Sequence, residues 1–199
     1  MEPGTTENRF APPVAPLVIS GVLLLFFWRF GYDWAVSDQA EIIPYLLHRL
    51  DPTLFQNDWF VQTQVSTFSV REYTVGLLYA ISRLVPVWLA VAAVHIISCA
   101  AVAYSCYQIA QEIVRDRLAS ALAVTLVLVF TPEWTLGGND LIGRMLTPSL
   151  LAWALALPGI LWWLRGQWIT AGVLLGAAAW FQPLVGLQTA GVLAAALLV

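Results

Sequence analysis

Long apolar runs broken by short polar turns dominate the chain. They cover about 14–30, 86–110, 118–131, 146–164, 168–181 and 184–199. Several approach the roughly 20 residues needed to cross a hydrocarbon core. The pattern predicts an all-α fold, a polytopic transmembrane helix bundle with membrane domain 14–199.

Between 31 and 85 the pattern changes. The polar stretch 31–70 holds five of the twelve acidic residues. From Ser37, a candidate N-cap, Asp38, Glu41, Tyr45 and His48 recur at helical spacing. Ile42, Ile43, Leu46, Leu47 and Leu50 occupy the opposite face. That spacing predicts an amphipathic helix over 38–50, lying on a membrane surface, kinked at Pro44 and ended by Asp51-Pro52. A second helix is expected over 69–85, and its uncharged part, 73–82, is too short to cross a bilayer alone. Residues 31–85 therefore read as one loop carrying two juxtamembrane helices. Residues 1–13 are polar and proline-rich, without the basic region or cleavage site of a signal peptide, and read as a disordered lead-in. The last apolar run reaches Val199 without a polar tail, so the sequence is expected to be a piece of a longer protein, truncated at its C-terminus.

Composition narrows the class. Sixty per cent of the 199 residues are hydrophobic and 11% are charged, with a mean hydropathy of +0.77. A water-soluble domain carries about 25% charged residues, so this surface is too poor in charge to meet water everywhere. Ten Trp and six Tyr gather near the ends of the apolar runs, as interfacial belts require. All nine basic residues are arginine, which excludes lysine-based Schiff-base and phosphate-loop chemistry. The net charge of −3 excludes an electrostatic footprint for nucleic acid. Cys99 and Cys106, inside an apolar run, read as small core residues.

The arginines also favour a topology. If 69–85 does not cross and the N-terminus is inside, Arg9, Arg115, Arg117 and Arg165 lie inside, and Arg29, Arg49, Arg71, Arg83 and Arg144 outside. If it does cross, six of the nine fall outside, so the positive-inside rule favours the first arrangement. Asp38, the loop Gly137-Gly138-Asn139-Asp140 and Gln182 then face one outer side.

Asp38 and Glu41 put two carboxylates on one helix face. Such a pair could take a proton from an attacking hydroxyl or hold a divalent cation; equally, it could be the solvated face of an interfacial helix. His95 lies mid-span with Ser98 three residues on, and reads as a neutral, hydrogen-bonded histidine rather than a proton relay. Gly172 and Gly176 form a GxxxG pattern, expected to pack helices.

Residues 31–60, GYDWAVSDQAEIIPYLLHRLDPTLFQNDWF, resemble the first outer loop of the GT-C superfamily, the membrane glycosyltransferases that use polyprenyl-phosphate sugars. In its aminoarabinose and protein O-mannosyl transferase branch, an aspartate follows the first span, usually with Glu after it. It begins a juxtamembrane helix that leads into a "gDWl/P"-like stretch. Ser37-Asp38-Gln39-Ala40-Glu41 and Asn57-Asp58-Trp59-Phe60 fill those places here. Residues 171–187, from Ala171-Gly172-Val173-Leu174-Leu175-Gly176 to Phe181-Gln182-Pro183-Leu184-Val185-Gly186-Leu187, resemble the "GlllGla…tKgPvgl" region of that branch. Two departures stand out: Gln39 replaces the usual second acid, and Gln182 stands where the branch often has Lys.

The resemblance implies a multi-pass enzyme of a bacterial-type inner membrane, in contact with membrane lipid. It would move a sugar from a polyprenyl-phosphate donor to an acceptor at the outer face. It implies Asp38, with Glu41, as the general base or acceptor-orienting carboxylate. Arg144 is the expected phosphate contact, with Asn139, Asp140, Gln182 and Asp58 as further substrate-binding candidates. No cofactor is implied with certainty, and a divalent metal is possible. The alternatives are a polytopic transporter or flippase-like protein, or a non-catalytic membrane subunit. Spans nearly free of charge, with the acids in loops, favour interfacial chemistry over transport.

Overall fold

The computed structural model describes residues 14–69, 71–130 and 140–197. Among the described residues the chain is all-helical and has no strand. The helices are α1 (Val14–Phe30), α2 (Asp38–Leu50), α3 (Trp59–Ser66), α4 (Arg71–Ser82), α5 (Val87–Val114), α6 (Arg117–Phe130), α7 (Pro148–Leu164), α8 (Trp168–Phe181) and α9 (Pro183–Ala195). Among the described residues only α5, with 28 residues, is by itself long and apolar enough to cross a membrane; α1, α6, α7, α8 and α9 are apolar but shorter.

Several local findings differ from the sequence expectations. The second juxtamembrane helix runs over Arg71–Ser82 rather than 69–85, and a short helix, α3, precedes it. α3 exists because Asp58 caps it: one carboxylate oxygen accepts from the N–H groups of Phe60 and Val61, both at 3.0 Å. Ser37, at the other expected cap, has a φ of 48° and makes no side-chain capping bond. The buried Gln39 side chain instead closes the entry to α2, its Oε1 accepting from the Ala35 N–H at 2.9 Å. α2 continues through Pro44 as one helix.

The chain runs up and down. Phe27 of α1 and Tyr32 just beyond it pack their rings against His95, in the third turn of α5. The last turn of α1 also meets the end of α6, because the Arg29 guanidinium lies over both Phe30 and Phe130. Arg144, just before α7, pairs with Asp33, just after α1. At the far end Arg165, which ends α7, donates to Glu112 near the end of α5 at 2.6 Å. α8 then returns, and Trp180 near its end stacks on Tyr73 of α4 at 5.7 Å. Since α4 leads into α5 through only a short turn, both ends of α4 lie at this same end of the bundle.

One large core, including Val22, Leu46, Val61, Leu78, Val102, Leu128 and Leu150, joins α1 through α7. A smaller one, built on Ala152, Ala156, Leu175, Ala178 and Val185, joins α7, α8 and α9. The close helix approaches are not at the GxxxG pair: a Cβ at Gly172 or Gly176 would meet nothing within 4 Å. At Gly186 it would lie 2.4 Å from the Ala179 backbone nitrogen, so the α8–α9 reversal is as tight as only glycine permits.

Candidate functional site

Two amphipathic helices build the polar end. α2 carries carboxylates in its first turn and His48 and Arg49 in its last, while α4 opens with Arg71 and Glu72. Laid side by side, the helices put opposite charges together. Arg71 pairs closely with Glu41, and its Nη2 lies 3.8 Å from Asp38 Oδ1, near enough for attraction but too far for a hydrogen bond. Next along, the Tyr45 hydroxyl donates to Glu72 Oε2 at 2.6 Å, and Arg49 pairs with the other oxygen of Glu72. The Arg49 guanidinium also covers the Tyr79 ring at 5.2 Å. Burial pushes the Tyr45 phenol up to about 12, helped by the hydrogen bond to Glu72 and by its negative charge, against the pull of Arg49.

The face of α2 that the sequence presented as solvated is thus the face that meets α4. Tyr45 is buried, and His48 Nδ1 lies 2.6 Å from the Leu54 carbonyl oxygen, tying the helix to its own following turn. Asp51 starts that turn; its carboxylate accepts from the Thr53 hydroxyl and N–H, which hold its pKa below the usual range.

A second strand of contacts runs from α1 to α7. The Arg144 Nε lies 3.2 Å from Asp33 Oδ2, and the Asp33 N–H donates to the Arg144 carbonyl at 2.9 Å. The expected phosphate ligand is therefore already paired with an acid. Between these strands stands Tyr32, whose ring meets His95 edge-on at 5.2 Å. Burial raises the Tyr32 pKa, and the Gln39 side-chain amide beside it opposes the shift. Gln39, which replaces an acid in the resembling family pattern, is a buried structural amide here. His95 is fully buried, its Nε2 3.3 Å from the Cys99 sulfur.

Of the site residues proposed from sequence, the structure brings Asp38 and Glu41 together on Arg71. Arg144 and Asp140 belong to the segment tied to Asp33. Gln182 sits at the α8–α9 junction, two residues after Trp180, whose ring stacks on Tyr73 of α4. Asp58 is the cap of α3. Asn139 lies outside the described residues. Sequence reasoning missed Arg71; the available signal was the complementary charge order of the two amphipathic segments, acids before Arg49 in one and Arg71 before Glu72 in the other. Among the described residues no group of three or more His, Cys, Asp or Glu side chains converges to hold a metal ion. Asp38 and Glu41 would offer a cation two carboxylates already shared with an arginine.

No protein-family model, no curated protein and no solved structure matches the chain.

Proposed function

We propose that the chain is a multi-pass membrane protein of the GT-C type, transferring a sugar from a polyprenyl-phosphate carrier to an acceptor hydroxyl at the polar end of the bundle. Its apolar outer surface supports the membrane part of this reading. Leu24, Ile97, Leu126, Ile169, Val173 and Val192 are all exposed, on five different helices, and Ile169 is 87% exposed. Water does not tolerate an apolar surface of that extent on a monomer, whereas lipid does. The shorter apolar helices have 13 to 17 residues, or about 20–26 Å of rise, and would thin the bilayer locally.

The observation that carries the chemical part is the Asp38–Glu41–Arg71 cluster at the end where α1, α4 and the α8–α9 junction meet. In the proposed step the acceptor oxygen attacks the anomeric carbon and its proton passes to the Asp38 carboxylate. The bond from that carbon to the phosphate oxygen breaks, and its electron pair leaves with the polyprenyl phosphate. Lipid phosphate is a good leaving group that needs no proton, so a carboxylate and a cation are the whole requirement.

The test uses the protein in nanodiscs with undecaprenyl-phosphate mannose and undecaprenyl-phosphate glucose as donors and a cell-envelope extract as acceptor. Released undecaprenyl phosphate is measured. Asp38→Asn is expected to reduce release by about 10²–10⁴-fold with an unchanged melting temperature. Equal release by wild type and variant would refute the role of Asp38.

A further inference from the structure

We infer that Arg71 is the receptor for the carrier's phosphate, and that Asp38 and Glu41 are its resident counter-ions, displaced when the phosphate arrives. The inference rests on the reading above that the ligand is a lipid-linked phosphate.

Arg71 differs from the other paired arginines. Arg49 is held by Glu72 on one side and covered by Tyr79 on the other. Arg144 has the Asp33 side chain at its Nε, and its backbone is bonded to Asp33 as well. Arg165 stands at the opposite end of the bundle with Glu112 and Gln108. Arg71 has two carboxylates set against one cation, and one of them, Asp38, stands off at 3.8 Å without a hydrogen bond. Its Nε is buried and has no hydrogen-bond partner. An unmade bond at a buried guanidinium N–H is costly, and a planar fork with one free prong suits an oxyanion that offers several oxygens.

A phosphate can fill that prong while replacing Glu41 on the outer nitrogens. The carboxylates are then released at the moment the donor is in place. Asp38 becomes available to the acceptor's proton only when there is a sugar to transfer. In the empty site the Asp38 carboxylate stands within attraction of the Arg71 cation, and Glu41 is the closely paired counter-ion.

This arrangement makes two variants move in opposite directions. In phosphatidylcholine nanodiscs, equilibrium binding of undecaprenyl phosphate is expected to weaken about ten- to a hundredfold in Arg71→Gln. Glu41→Gln, which removes a competitor for the guanidinium, is expected to tighten binding several-fold. Arg71→Lys keeps the charge and covers the case in which Arg71→Gln does not fold; it is expected to bind more weakly than wild type because it lacks the fork. Weaker binding in Glu41→Gln, wild-type binding in Arg71→Lys, or no binding by either wild type or Glu41→Gln overturns the inference. Comparable affinity for inorganic phosphate, with the same variant pattern, overturns the assignment to a lipid carrier. Turnover is not read in this assay. Loss of the variant pattern with transfer intact therefore removes the role of Arg71 alone, and the pattern without transfer removes the enzymatic reading alone.

Discussion

Tyr45 of α2 and Glu72 of α4 share a 2.6 Å hydrogen bond, with the phenol as donor. That bond joins two helices whose chain connection passes through α3 and fixes which face of α2 is hidden. With Arg71 next to Glu72 and Glu41 one turn before Tyr45, it sets the carboxylate pair against its cation.

The same bond gives the protein an alkaline limit. Tyr45 titrates near 10.0 when free and at about 12 when folded, so the fold favours the protonated phenol. Its stabilisation is fully present below pH 10 and is lost as pH rises towards 12. Thermal melts of purified protein between pH 9 and 12 should show a falling midpoint, and Tyr45→Phe should flatten that fall. At neutral pH the same substitution should cost about 1 kcal/mol.

The tight α8–α9 reversal separates two kinds of glycine. Gly186→Ala forces a methyl group into the Ala179 backbone and should destabilise by about 1–3 kcal/mol. Gly176→Ala meets open space and should change stability by no more than about 0.5 kcal/mol, or raise it. Paired thermal melts in one detergent check both, and equal effects would show that the helices do not reverse there as described.

α3 depends on its N-cap. Asp58→Ala removes a carboxylate that accepts from two N–H groups and should cost about 1 kcal/mol. Asp58→Asn, which retains a capping oxygen, should recover most of it. Amide exchange in residues 59–66 would locate the loss.

The order of helix ends predicts which positions share a side in a membrane. In a background with Cys99 and Cys106 replaced by Ser, Asp38→Cys, Arg83→Cys and Asp140→Cys should label from one side in spheroplasts. Asp116→Cys, at the turn between α5 and α6, should label from the other. Labelling of positions 38 and 140 from opposite sides would dismantle both the shared polar end and the function proposed for it.

How far the sequence could be read depended on how local each cause was. The apolar runs place α1 and α8, and the amphipathic spacing places α2, at their observed bounds, since a helix start or stop is set within a turn by proline, glycine and polarity. α3 escaped because it is only eight residues long and its sole strong signal, Asp58, also suits a solvated loop. The glycine pattern misled because Gly172 and Gly176 mark a face that could pack closely, without saying whether another helix lies there. Arg144 was visible as a charge beside a loop, but its partner Asp33 is more than a hundred residues away in sequence.

By itself, then, the sequence determined that this is an apolar helical chain with its acids gathered in polar breaks, because helix formation and hydrophobicity are properties of neighbouring residues. Only tertiary structure decided that Arg71, and not Arg144, stands between Asp38 and Glu41, and that Tyr45 points inward to Glu72. Electrostatic partners are chosen by distances of a few ångströms between separate helices, and those distances exist only once the helices have packed.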